Sequence, residues 1–309
     1  MYTRTLFASF FLMAFSLQAA AQNQTLAQRL GYPADAKLLI IHADDLAVAH
    51  AQDMASFEAL NRGAVSSASV MIPCPWLTEV ADYAKAHPDA DLGLHLTLTS
   101  EWKNYKWGPV APRNQVASLL DPHGYLYSDA GEAVRHIKPE EAEREVRAQL
   151  ETALKMGIRP THLDSHMGVL FTKPALMAVL VNVAHEYHLP FLMLKIPGVP
   201  PDMYAALKPT DVILDRVFMA APPIKPDGWL SYYTHILQTL PPGVSEIIVH
   251  LAYDDAEMQA VTVDHPDYGS AWRQRDFNVV TSPEFRKALE ENHVTLVSWR
   301  KLGMLLPNP

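Results

Sequence analysis

KLLIIHADD (Lys37–Asp45) decides the fold. Leu38, Leu39, Ile40 and Ile41 form an unbroken aliphatic run. Such a run reads as a strand buried on both faces, which belongs in a parallel sheet covered by helices. The run ends in two carboxylates, Asp44 and Asp45, and Gln52–Arg62 then reads as a helix that stops near Gly63. The same grammar recurs in GLHLTLT (Gly93–Thr99), THLDSH (Thr161–His166) and IIVHLA (Ile247–Ala252). Asp44, Asp45, His95, His166 and His250 therefore fall at the C-terminal ends of different predicted strands. In an α/β barrel that face carries the chemistry.

Between these patches, strand-like and helix-like runs alternate. Ser66–Ile72 and Leu92–Leu98 read as strands, and Leu77–His87 as a helix. Pro139–Met156 is a helix with opposite charges four apart, a proline in its first turn and Gly157 at its stop. Thr161–His166 is a strand and Pro174–His188 a helix; Phe191–Ile196, Val212–Leu214, Glu246–Leu251 and Thr295–Trp299 supply further strands. The pattern predicts a TIM-barrel-like α/β barrel of seven or eight parallel strands, regular or distorted. Two stretches break the rhythm, Ser100–Ile137 and the loop-like His265–Thr281. Long loops in compact domains are often functional.

Met1–Ala21 has a basic residue, Arg4, an apolar stretch Leu6–Leu17, and Ala19-Ala20-Ala21 before Gln22. It reads as a secretory signal peptide cut before Gln22, too short for a membrane span of ~20 residues. Export implies a periplasmic address, with no integral membrane span after cleavage. The remainder, Gln22–Pro309, suits one domain, with Gln22–Arg29 a loosely packed polar start. The formal charge of −9 becomes −10 without Arg4, which argues against nucleic acid or an anionic membrane surface as partner. The single cysteine, Cys74, excludes an internal disulfide and reads as a buried thiol.

Asp44-Asp45 admits a plain reading, a cap on the following helix. Adjacent carboxylates can also divide labour, one on a cation and the other on the water that loses a proton. His95 alternates with Leu94 and Leu96 and so faces away from them. His162, Asp164 and His166 share one strand face, with the two histidines about 13 Å apart. Only His166 reaches the C-terminal mouth, and Asp164 suits a partner that orients a histidine. His250 is a proton donor if the others hold a metal. One Asp and two His from distant segments form a common ligand set for a hydrolytic metal. Trp102, Tyr105 and Trp107 offer faces for sugar rings, or pegs for the long loop. Arg273, Arg275 and Asp276 form an ion-paired lid or a surface salt bridge.

His42-Ala43-Asp44-Asp45-Leu46-Ala47, Gly93–Thr99, Thr161–His166 and, more loosely, His250 resemble the motifs of the YdjC-like carbohydrate deacetylase family (also called ChbG/HpnK-type). The resemblance covers most of Ala36–Leu302. It implies a TIM-barrel-like domain that removes acetyl groups from N-acetylated sugars such as chitooligosaccharides. It implies Asp45, His95 and His166 as ligands of a divalent metal, Asp44 as general base and His250 as acid. Asp164, Trp102, Trp107 and Arg275 would then support the ligands or the substrate. Zn²⁺ suits this set, and Mg²⁺, Mn²⁺ or Co²⁺ are compatible with it. The chain departs from the family pattern at His42, Ala47 and Met167-Gly168, where Asn, Gly and further histidines are common. The partner expected is a small-molecule or oligosaccharide substrate. Rival readings are a metal-dependent hydrolase of another ester or phosphodiester bond, and a secreted glycan-binding protein without catalysis.

Overall fold

The computed structural model describes residues 24–307, so the leader expected at residues 1–21 lies outside the described residues. The strands are β1 (Lys37–Leu46), β2 (Ser67–Val70), β3 (Leu92–Leu96), β4 (Leu163–Ser165), β5 (Arg216–Met219), β6 (Gly243–Val249) and β7 (Val294–Leu296). The helices are α1 (Leu26–Arg29), α2 (His50–Asn61), α3 (Leu77–Ala86), α4 (Ala130–His136), α5 (Pro139–Met156) and α6 (Pro174–Glu186). They continue with α7 (Trp229–Thr239), α8 (Ala256–Val261), α9 (Ser270–Val280), α10 (Pro283–Glu291) and α11 (Trp299–Gly303). Among the described residues, no helix is long and apolar enough to cross a membrane.

Every strand pairing is parallel, in the order β4-β3-β2-β1-β6-β5, with β7 beside the first residues of β1. Single bridges, Leu163 to Phe191 and Leu194 to Leu214, carry the sheet on from β4 toward β5. The result is the expected α/β barrel in distorted form, a curled parallel sheet wrapped by helices.

β1 is the central strand. Leu39, Ile41 and Ala43 pack into the main core. Leu38 and Ile40 face the other way, into a smaller cluster with Val244, Leu214 and Trp299. Burying each large aliphatic side chain contributes roughly 1.5–3 kcal/mol. The second face continues upward from Leu38 and Ile40 through His42 to Asp44, beside Val244, Glu246 and Ile248 of β6. Apolar residues thus fill the lower end of the barrel, and polar residues gather at the mouth.

α5 shows how the surround is built. Pro139 opens it, and Gly157 closes it at φ 88°, where a side chain would be strained. Ala142, Val146, Leu150 and Ala153 form its buried face. Glu145 lies on that face too, fully buried, and accepts from the backbone N–H groups of Val110 and Ala111, both at 2.9 Å. This carboxylate straps the long Ser100–Ile137 segment to the barrel. That segment holds helical turns at Arg113–Gln115 and Ala117–Leu119, and then α4.

Several expectations need correction. His265–Thr281 is not a loop, because α9 occupies most of it. Its buried side chains include Arg273 and Asp276 beside Trp272 and Phe277. Charged residues on the buried side erase the apolar stripe that marks a helix. Phe191–Ile196 and Val212–Leu214 do not form full strands; they supply only the bridges at Phe191, Leu194 and Leu214, and the strand itself is Arg216–Met219. Trp299 opens α11 rather than ending β7. The polar start is not loose at α1, where Thr25 caps the helix and Ala27 is fully buried.

Glu246 carries a consequence for stability. It is buried, and its Oε2 accepts from Trp299 Nε1 at 2.8 Å. Burial, opposed by nearby His42, pushes its carboxyl up to about 8. A carboxyl whose folded pKa lies above its unfolded value costs stability as pH rises between the two. Glu246→Gln should therefore gain on the parent between about pH 5 and about pH 8.5, by on the order of a few kcal/mol. Thermal melts at the two pH values check this. An equal difference at both would contradict it.

Candidate active site

An irregularity near the end of β1 brings Asp44 and Asp45 to the same cavity. Simple alternation would send neighbouring strand residues to opposite faces. Here the pairing with β2 shifts register between Ala43 and Leu46, and Asp45 adopts φ 70°. Asp tolerates this left-handed conformation better than most residues. Ala47 also adopts it, at φ 79°, and its N–H donates to Asp53 Oδ1 at 2.7 Å. An alanine is strained there, by roughly 1–2 kcal/mol. Ala47→Gly should stabilise the fold by about 1 kcal/mol in a urea melt, since glycine's greater freedom when unfolded offsets part of the relief. A loss of stability would contradict that reading.

His95 on β3 stands opposite Asp164 on β4 in the sheet register. Its Nδ1 donates to Asp164 Oδ1 at 2.7 Å, which leaves Nε2 for the cavity. That nitrogen lies 3.3 Å from Asp45 Oδ1 and 3.8 Å from Asp44 Oδ2. His166 follows β4, just before Met167 and Gly168, both with left-handed backbones. Its Nδ1 lies 3.3 Å from the same Asp45 Oδ1, and its Nε2 2.9 Å from Glu101 Oε2. Asp45 Oδ1 is buried and has no hydrogen-bond partner. Two ligands each ~2.1 Å from one ion, at ~90–109° to each other, stand ~3.0–3.4 Å apart. The spacing of Asp45, His95 and His166 fits that arithmetic, and their donor atoms lie within 4.8 Å of one another. This donor set suits a divalent metal.

Asp45 Oδ2 accepts from Arg273 Nη2 at 2.8 Å. Burial works to raise the Asp45 carboxyl, but Arg273 and the close approach of His166 and His95 hold it well below the usual range. Arg273 is itself buried, with its guanidinium 5.4 Å from the Trp102 ring. Asp44 Oδ1 accepts from Ser69 Oγ at 3.1 Å and lies 2.9 Å from His42 Nε2. The same His42 nitrogen lies 3.1 Å from Asp164 Oδ2. One buried ring thus ties Asp44 to the carboxylate that orients His95. Burial would lower His42, but hydrogen bonds to Asp164 and Asp44 raise it well above the ordinary range.

His250, just past β6, faces the cluster with Nε2 3.9 Å from Asp45 Oδ2. Burial pushes its pKa down to about 4, Asp45 opposing and Arg273 reinforcing. Its Nδ1 is buried without a partner, and its ring meets Tyr268 edge-on. Asp44, Asp45, His95, Asp164, His166 and His250 all line one cavity of about 590 Å³.

Of the supporting residues expected from the sequence, Asp164 and Trp102 line this cavity. Trp107 is buried beside it and donates from Nε1 to the Thr99 carbonyl at 2.8 Å, as a peg for the loop. Arg275 points elsewhere, its guanidinium 4.7 Å from the Trp229 ring. Its neighbour Arg273 is the one that enters the site. His162 lies deeper, stacked on Trp299, and Gly93 gives it room, since a Cβ there would sit 2.3 Å from the ring. Glu101 and the bridging role of His42 escape the sequence reading. Glu101 lies in the irregular loop, where no periodicity assigns a direction.

The YdjC-like protein family matches residues 38–291. A carbohydrate deacetylase of Thermus thermophilus is 33% identical over 281 residues, 89% of this chain and 97% of that protein. A carbohydrate deacetylase of Enterococcus faecalis is 30% identical over 278 residues, 87% of this chain and 99% of that protein. A crystal structure from Enterococcus faecalis, described as a candidate cellobiose-phosphate cleavage protein, superposes with a TM-score of 0.73 at 28% identity. That match covers 86% of this chain and 99% of the other. With these matches along most of its length, the chain belongs to the YdjC-like protein family.

Proposed function

We propose that this chain is a metal-dependent deacetylase that hydrolyses the acetyl amide of an N-acetylated sugar or glycan. The observation that carries the reading is Asp45 Oδ1, buried, unpartnered and 3.3 Å from a nitrogen of each of two histidines. The names of the Thermus and Enterococcus relatives support the substrate class.

A divalent cation held by Asp45, His95 and His166 would polarise the acetyl carbonyl and make a water more acidic. Arg273 offsets the charge of Asp45 and fixes its second oxygen. Asp44, steadied by Ser69 and His42, removes a proton from the attacking water. The water oxygen bonds to the amide carbon, the C–N bond breaks, and the sugar nitrogen takes a proton to leave as an amine beside acetate. With a pKa near 4, His250 is neutral at neutral pH. It would serve as acid toward the leaving sugar nitrogen once it has taken up a proton.

The metal is Zn²⁺ or Mg²⁺ in this reading, and the expected leader places the mature chain in the periplasm. A screen of N-acetylated sugars and of phosphodiester substrates, with each divalent metal, tests the reaction class. Acetate release supports the proposal. Phosphate release without acetate would move the chain to the rival hydrolase reading, and sugar binding with neither product to the glycan-binding one.

A further inference from the structure

The catalytic cavity carries an uneven charge. Five carboxylates line it, those of Asp44, Asp45, Glu101, Asp164 and Asp267, against a single arginine or lysine, Arg273. Arg273 and the charge of a divalent ion offset three of the five. Asp44, Asp45 and Asp164 belong to the catalytic machinery, which leaves Glu101 and Asp267 over. These two come from loops that meet. Trp102 and His265 pack edge to face with ring centroids 5.0 Å apart, and Lys103 pairs with Asp264. Glu101 begins this acidic wall at the metal centre, where its Oε2 lies 2.9 Å from His166 Nε2. Asp267 ends it at the exposed rim. The nearby cations are spent elsewhere: Lys103 on Asp264, Lys106 on the Ser100 carbonyl, and Arg273 on Asp45 and the Tyr268 carbonyl. A cleft lined by one sign of charge focuses its field on whatever enters. That a ligand enters here stands on a separate observation, the buried Asp45 Oδ1 that lacks a partner in the same cavity.

We propose that Glu101 and Asp267 select substrates by charge: the site favours an N-acetylated glycan whose neighbouring sugar already carries a free ammonium group, and turns away the same glycan bearing a phosphate. The proposal rests on the deacetylase reading and narrows its substrate class to partly deacetylated amino-sugar glycans. Asp45, His95 and His166 are buried at the floor of the cavity, and Asp267 is exposed at its rim. An acetyl group held at the floor sends the adjoining sugar out along the wall between them. An ammonium group on that sugar meets two acidic neighbours, whereas a phosphate meets like charge, which rejects the wrong partner. A solvent-facing ion pair is worth up to ~5-fold in binding.

The test measures acetate release from three kinds of disaccharide at about pH 6.5, where a sugar amine is protonated. They are diacetylchitobiose, its two mono-deacetylated isomers, and diacetylchitobiose 6-phosphate, each with wild type and with Asp267→Lys. Asp267 is exposed, so this change leaves the core intact. In wild type the better amine-bearing isomer should exceed the neutral disaccharide by ~5-fold in kcat/KM, mainly through KM. The phosphate should fall below the neutral disaccharide by a similar factor. Both ratios should move toward one in ~1 M salt, where the screening length is ~3 Å. Asp267→Lys should erase the amine's advantage and most of the phosphate's penalty. Equal kcat/KM for all the disaccharides, with acetate released from each, overturns the charge selection and spares the deacetylase reading. A preference that Asp267→Lys leaves unmoved also overturns it. If none of them yields acetate, the deacetylase reading is what fails for this sugar. Calorimetric binding of the same ligands then decides the wall: tighter binding of an amine-bearing isomer in wild type alone supports it, and equal binding overturns it.

Discussion

Asp44→Asn should lower acetate release by at least ~10²-fold while metal content stays at the wild-type level, since positioned acid–base groups typically contribute ~10²–10⁴-fold. Asparagine keeps the size of the side chain and an oxygen for Ser69 Oγ, which now lies 3.1 Å from Asp44 Oδ1. What it loses is the basicity needed to take a proton from water. In the proposed centre only the two histidines converge on the unpartnered Asp45 oxygen, and Asp44 is not a ligand, so the metal should remain. Turnover and elemental analysis on the same preparation separate the two effects. Near-normal acetate release from the variant would remove Asp44 from the role of base.

His95→Ala and His166→Ala should each empty the metal centre. Either change removes one nitrogen from a site built on three donors, and the remaining pair lacks the geometry a divalent ion requires. His95→Ala should be the more damaging to the fold. It leaves Asp164, which is buried between His95 and His42, without its 2.7 Å partner. Losing a hydrogen bond to a buried carboxylate costs ~1.5–3 kcal/mol. His166 interacts with Glu101 nearer the cavity, so its loss should spare more stability. Elemental analysis after gel filtration reads occupancy, and a melt reads stability. Full occupancy in both variants would contradict the assigned ligands.

The parts of this site that sit on strands were legible in the sequence. The runs that end at Asp45, His95, His166 and His250 have simple periodicity, and the parallel order brings their ends together. Asp164 was legible as an orienting group, but the histidine it orients is His95 on the neighbouring strand, because partners in a parallel sheet are set by register. Arg273 was visible only as one of two nearby arginines. Its helix carries charge on its buried side, which hides the pattern that assigns a direction. His42 reads as a departure from a motif, and only the fold sets it between Asp44 and Asp164. Glu101 and the seam at Phe191–Leu214 depend on irregular backbone, where neither a period of two nor one of 3.6 applies.

In the proposed mechanism one ion at Asp45, His95 and His166 supports amide hydrolysis. Acetate release measured while metal-stripped protein is titrated with Zn²⁺ or Mg²⁺, on an N-acetylated sugar that the screen identifies, tests it most directly. Release should be absent at the start and rise linearly to a plateau at one ion per chain. Release that is unchanged by stripping, or absent at full occupancy, would contradict it.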